Sequence, residues 1–93
     1  MPLSRAEIAT PSGERLMNRL CKHWAHELEV EHSDQEAKIV FGSGTCLMRA
    51  DDETLIVALE TLEEGHLDEL EGVVERHLVR MAGDEALVII WEN

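Results

Sequence analysis

ELEVEHSDQEAKIVFGSGTCLMRADDETLIVALE, residues 27–60, is the stretch whose reading decides the fold. Leu28, Val30 and His32 alternate with Glu27, Glu29 and Glu31, the two-residue period of a strand with one wet face. Ser33-Asp34-Gln35-Glu36 is rich in turn formers, and Ala37 to Phe41 reads as a second strand. Gly42-Ser43-Gly44 closes a tight connection to a third, Thr45 to Ala50, and Asp51-Asp52-Glu53 turns the chain into a fourth, Thr54 to Leu59. Connections this short join antiparallel neighbours, because a parallel crossover needs a dozen or more residues. The stretch predicts a four-strand antiparallel meander.

Outward from this meander the period changes. Leu3 to Ala9 reads as a short strand, and Thr10-Pro11 supplies an N-cap residue followed by proline at the first helical position. The helix that follows is expected over Pro11 to Glu27. Leu16, Met17, Leu20, Cys21, Trp24 and Leu28 recur every 3.6 residues, with Arg15, Asn18, Arg19 and Lys22 elsewhere on the wheel. Beyond the meander, Thr61-Leu62-Glu63-Glu64 matches a capping box and opens a second helix with Leu67, Leu70, Val74, Leu78 and Met81 as its apolar stripe. Ala82-Gly83-Asp84 ends it. Leu87 to Trp91 is apolar at nearly every position and predicts a strand inside the sheet with both faces covered.

The resulting order is β-α-β-β-β-β-α-β over a single domain, residues 1–93. Two one-sided helices need a common apolar surface, so both belong on one face of the sheet. The expected class is α+β, a two-layer sandwich with a mostly antiparallel sheet of about six strands. Val40, Leu47 or Met48, Leu55 and Ile89 or Ile90 place apolar residues on both sides of several strands. A homodimer packing sheet against sheet would cover the second face, and the plainer alternative is a patch of modest size left in water.

Composition excludes several functions. Twenty acidic residues against eight Lys and Arg give a formal net charge of −12, which repels phosphate backbones and anionic membranes, so no nucleic acid and no membrane is expected as partner. The longest apolar run, Ala86 to Trp91, falls far short of the roughly 20 residues of a membrane-spanning helix. The N-terminal MPLSRAEIATP has no apolar core of a signal peptide, so the cytoplasm is the expected compartment. Cys21 and Cys46 form no C-x-x-C and read as free, buried thiols of a reducing compartment.

The segment Leu20 to His26, LCKHWAH, raises the question of a metal site or reactive centre. On a straight helix Cys21 and His23 lie on opposite sides of Leu20, so they cannot share a ligand. His23 and His26, three residues apart, project from one flank. His77 borders the apolar stripe of the second helix, and His66 follows its flank. With matching flanks, His23, His26 and His77 would converge between the helices and hold a divalent metal such as Zn or Fe, which needs three or four ligands. Otherwise His23 and His77 are packing residues at the edge of the core, with His26 solvated. Cys21 lies away from the helix N-terminus that would lower its pKa and reads as inert. Gly42-Ser43-Gly44 precedes a strand instead of a helix N-terminus and reads as a hairpin turn, not a phosphate cradle. Asp51, Asp52 and Glu53 lack EF-hand spacing and read as turn chemistry. Trp24 centres the inner stripe of its helix and reads as core. No catalytic constellation is present.

RLCKHWAHELEVE (Arg19 to Glu31), VVERHL (Val73 to Leu78) and the closing segment with Trp91 together resemble the bacterial domain-of-unknown-function family 2218 over essentially the whole chain. The resemblance implies a bacterial protein about one domain long with unassigned function. It also implies an association with siderophore-interacting, flavin-type ferric reductases, and so with iron or siderophore handling. Two functions are therefore carried forward. One is a non-enzymatic binding or assembly module, a homodimer or the holder of a protein partner. The other is a metal-binding protein linked to iron, with His23, His26 and His77 as ligands.

Overall fold

The structure, a computed structural model, describes residues 2–93. Its elements are β1 (Leu3–Ala9), α1 (Gly13–Trp24), β2 (Glu29–His32), β3 (Glu36–Phe41), β4 (Gly44–Ala50), β5 (Thr54–Thr61) and α2 (Glu64–Ala82). The five strands form one antiparallel sheet in the order β1-β5-β4-β3-β2. The meander predicted from residues 27–60 accounts for four of them, and β1 adds to β5.

Register shows why one face is dry. Directly paired residues of antiparallel strands share a face, and the pairs Ile8↔Leu55, Ala6↔Val57, Met48↔Val57, Cys46↔Leu59 and Ile39↔Cys46 are all buried. Against them pack Leu16, Met17, Leu20 and Trp24 of α1 and Leu67, Leu70, Val74 and Leu78 of α2, making one core. Both helices thus lie on one face in a two-layer α+β sandwich. The hairpin between β3 and β4 needs a glycine at Gly44, where a Cβ would collide with the Glu60 carbonyl and the Thr61 side chain of β5. Asp51 Oδ1 accepts the amides of Glu53 and Thr54 at 2.8 and 2.7 Å, so this acidic turn is an Asx turn.

The helix ends differ from the sequence reading. Thr10 does not cap α1. Its Oγ1 accepts the Ser12 amide at 3.0 Å and donates to Glu85, and the helix begins at Gly13, which presses on the sheet with its Cβ position 3.1 Å from the Thr54 carbonyl. The helix ends at Trp24 rather than Glu27, where the Glu27 amide bonds the Trp24 carbonyl three residues back at 3.1 Å and tightens the chain into a turn. Thr61 likewise forms no capping box. It is the last residue of β5, and its hydroxyl donates to the Glu63 carbonyl at 2.7 Å. Strand pairing to Gly44 takes Thr61 before a helix can use it.

The expected sixth strand is a second correction. Leu87–Trp91 does not enter the sheet interior. The chain leaves α2 at Gly83, whose φ of 63° favours glycine, and runs beside the edge strand β1. It joins that strand by one bridge, Arg5↔Glu92, with backbone bonds of 2.9 and 2.8 Å. Leu87, Ile89 and Trp91 pack on the core while Val88 and Ile90 are 70% and 68% exposed. Side chains hold the segment in place of a ladder: Thr10 donates to Glu85 at 2.5 Å, Trp91 Nε1 donates to Glu75 at 2.9 Å, and buried Ser4 lies within hydrogen-bond distance of Glu71 and Asn93. A continuous apolar run does not distinguish two covered faces from one.

Candidate functional site

Helices α1 and α2 run antiparallel where they touch, with Arg19 donating to the Met81 carbonyl at 3.0 Å at one end and His23 beside His77 at the other. The His23 and His77 ring centroids are 5.2 Å apart. Trp24 lies against His77 at 4.8 Å and meets Phe41 edge-on at 5.0 Å. His77 Nδ1–H donates to the Val73 carbonyl one helical turn back at 2.7 Å, which leaves Nε2 of the neutral ring as an acceptor. The LCKHWAH segment therefore serves two sides. Leu20, Cys21 and Trp24 enter the core, and His23 and His26 face the space between the helices.

The structure brings His23 and His77 together. His26 lies past the end of α1, lining a groove with His23. His66 is exposed in the first turn of α2, and His32 of β2 pairs with Asn18. Among the described residues no group of three or more His, Cys, Asp or Glu assembles in a form that could hold a metal. The two cysteines are free and buried. Burial raises the Cys21 thiol above its ordinary value, and burial, followed by repulsion from Cys21, pushes Cys46 up to about 12. Neither has the low-pKa surroundings of a nucleophile.

Two concave surfaces bear on function, while a third, about 470 Å³ between Leu3, Glu64, Asp68 and Asn93, is lined by acids and chain-end residues. One lies on the bare side of the sheet, about 500 Å³, where Leu47, Ile56 and Ala58 are flanked by Glu31, Lys38 and Arg49. The other is the groove between the helices, also about 500 Å³, lined by Arg19, Lys22, His23, His26, Arg80 and Met81. In the sequence Arg19 and Lys22 are off-stripe positions of a helix, and Arg80 belongs to no motif. The signal was present, since α1 holds Arg15, Arg19 and Lys22 against one acid, Glu14, in a chain dominated by acids.

The family model described as "uncharacterized protein conserved in bacteria (DUF2218)" matches residues 5–92. The chain belongs to the DUF2218 family. Within solved structures it is similar to the NMR structure of PA4090 from Pseudomonas aeruginosa, at 38% identity and a TM-score of 0.84, covering 99% of this chain and 96% of that one. No curated protein matches. As a DUF2218 protein the chain has no helix, among its described residues, long and apolar enough to cross a membrane.

Proposed function

We propose that this DUF2218 protein is a non-catalytic assembly module whose partner is a second copy of itself, joined through the bare face of the sheet. One observation carries the reading. The helices cover one face only, and the other presents Val40, Leu47, Ile56 and Ala58 across three central strands. The charge there also suits self-association. By register this face holds Glu7, Glu29, Glu31, Glu36, Glu60 and Glu92 with Arg5, Lys38 and Arg49, six of the chain's twenty acids but three of its eight Lys and Arg. Repulsion between two copies is lower here than the overall charge suggests, and a twofold axis can set acids against bases. The molecule measures 32 × 27 × 19 Å, so its broad side can supply the roughly 800 Å² per partner of a standard interface.

Light scattering on the eluting protein tests this reading. The expected result is a dimer mass that falls to the monomer's in a folded Leu47→Glu, Ile56→Glu variant. A wild-type monomer at every concentration, or a dimer unaffected by those changes, overturns it.

A second reading, a metal-binding protein, is favoured by the contact between His23 and His77 with the Nε2 of His77 left as an acceptor. His26 would be the third ligand for Zn²⁺ or Fe²⁺, reached by a rearrangement at the end of α1. Metal that binds the folded state raises the melting temperature. The expected rise is abolished in His77→Ala, and no rise in wild type rejects this reading.

A further inference from the structure

The groove between α1 and α2 has a composition that neither the sheet face nor the imidazole pair explains. Arg19, Lys22 and Arg80 are three of only eight Lys and Arg in the chain, His23 and His26 are two of five histidines, and Met81 completes the lining. No carboxylate lines it, although acids outnumber Lys and Arg by twenty to eight.

The segregation follows from the antiparallel contact of the helices. The acids of α2 lie toward its N-terminal part, at Glu64, Asp68, Glu69, Glu71 and Glu75, and its arginines follow at Arg76 and Arg80. That basic end meets α1, whose single acid is Glu14. Charges gathered in a concave surface focus potential, so this groove is the part of an acidic molecule most favourable to an anion.

Compensation of helix dipoles is the competing explanation, since Lys22, His23 and Arg80 lie in the last turns of their helices. It does not reach Arg19, more than a turn before the end of α1, or His26, which is beyond it. Arg19 is also partly fixed. Its donation to the Met81 carbonyl uses one of five guanidinium N–H donors and holds the rest at the groove.

We infer that this groove binds a small phosphate-bearing molecule through Arg19, Lys22, His23, His26 and Arg80. Tetrahedral phosphate accepts from donors converging on several sides, whereas a carboxylate is planar with two oxygens, and these donors come from both walls. Arg19 and His26 are seven residues apart, roughly 10 Å along a helix axis and farther than one phosphate reaches, so the ligand carries a second phosphate or an organic part that can rest on Met81.

The test is an amide NMR titration of the full chain with inorganic phosphate and with pyrophosphate, against sodium chloride at matched ionic strength. The expected result is saturable shifts confined to residues 19–26 and 76–82, stronger with pyrophosphate and absent with chloride. Lys22→Gln with Arg80→Gln, both exposed positions, should weaken binding at least about tenfold through the loss of two charge-assisted bonds. Arg49→Gln on the bare sheet face serves as the control that leaves binding unchanged. Shifts that follow ionic strength alone, that map to the sheet, or that survive in the double variant overturn the inference. Its failure is separate from that of the dimer, which is read from mass and from Leu47 and Ile56.

Discussion

The helix-covered face of the sheet and its bare face are built from the same strands at alternate positions, yet they are held to different standards. On the covered face Leu55, Val57, Leu59, Cys46 and Ile39 are all fully buried and each touches neighbours on several sides. On the bare face Leu47 is 48% exposed, and the two ion pairs, Arg5–Glu7 at 4.0 Å and Lys38–Glu31 at 3.9 Å, are long and wet. Exposed pairs of this kind contribute about 0–1 kcal/mol. One face carries the stability of the monomer, and the other is free to be shaped by whatever meets it.

Substitutions should separate the two. The largest effect is expected from Leu59→Ala, which opens a cavity in the core and should lower the unfolding free energy by about 2–5 kcal/mol, read as a lower urea midpoint. Next is Cys46, also on the covered face. Its thiol keeps its proton in the folded state to about 12, while in the unfolded chain it ionises near 9.0. The stability this contributes is intact below pH 9 and is lost as pH rises from there toward 12, at up to about 1.4 kcal/mol per pH unit. Thermal unfolding across that range should show the slope, and Cys46→Ala should flatten it.

Ser4→Ala removes the buried hydroxyl that meets Glu71 and Asn93 and should cost about 1 kcal/mol. Leu47→Gln, on the bare face, should change the stability of the monomer by no more than about 0.5 kcal/mol while weakening self-association. A large loss of monomer stability from Leu47→Gln would erase the distinction between the faces.

Much of this architecture was legible in residues 27–60, because short turns force antiparallel pairing and a period of two says which side is dry. Both helices were visible from their apolar stripes. Their ends were not, since Thr10 and Thr61 look like caps in sequence but spend their hydroxyls on Glu85 and the Glu63 carbonyl. The expected sixth strand misled for a related reason. Hydrophobicity at Leu87 to Trp91 records that the segment packs, and says nothing of whether its backbone pairs. The meeting of His23 with His77 required a relative placement of two helices that no local pattern encodes. The cationic groove is of the same kind, being assembled from residues some sixty positions apart, about the 62 that separate Arg19 from Met81.

The segment that lies beside β1 has a consequence during synthesis. Arg5 and Glu92 stand at opposite ends of the described chain, so β1 leaves the ribosome long before its cover is made. Until then its outer backbone groups are an open template for a neighbouring nascent chain. The far edge has its own protection from the start, because β2 is only four residues long and carries Glu29 and Glu31. Aggregation of a chain that lacks this segment should therefore begin at β1, the edge whose Arg5 the Glu92 bridge occupies.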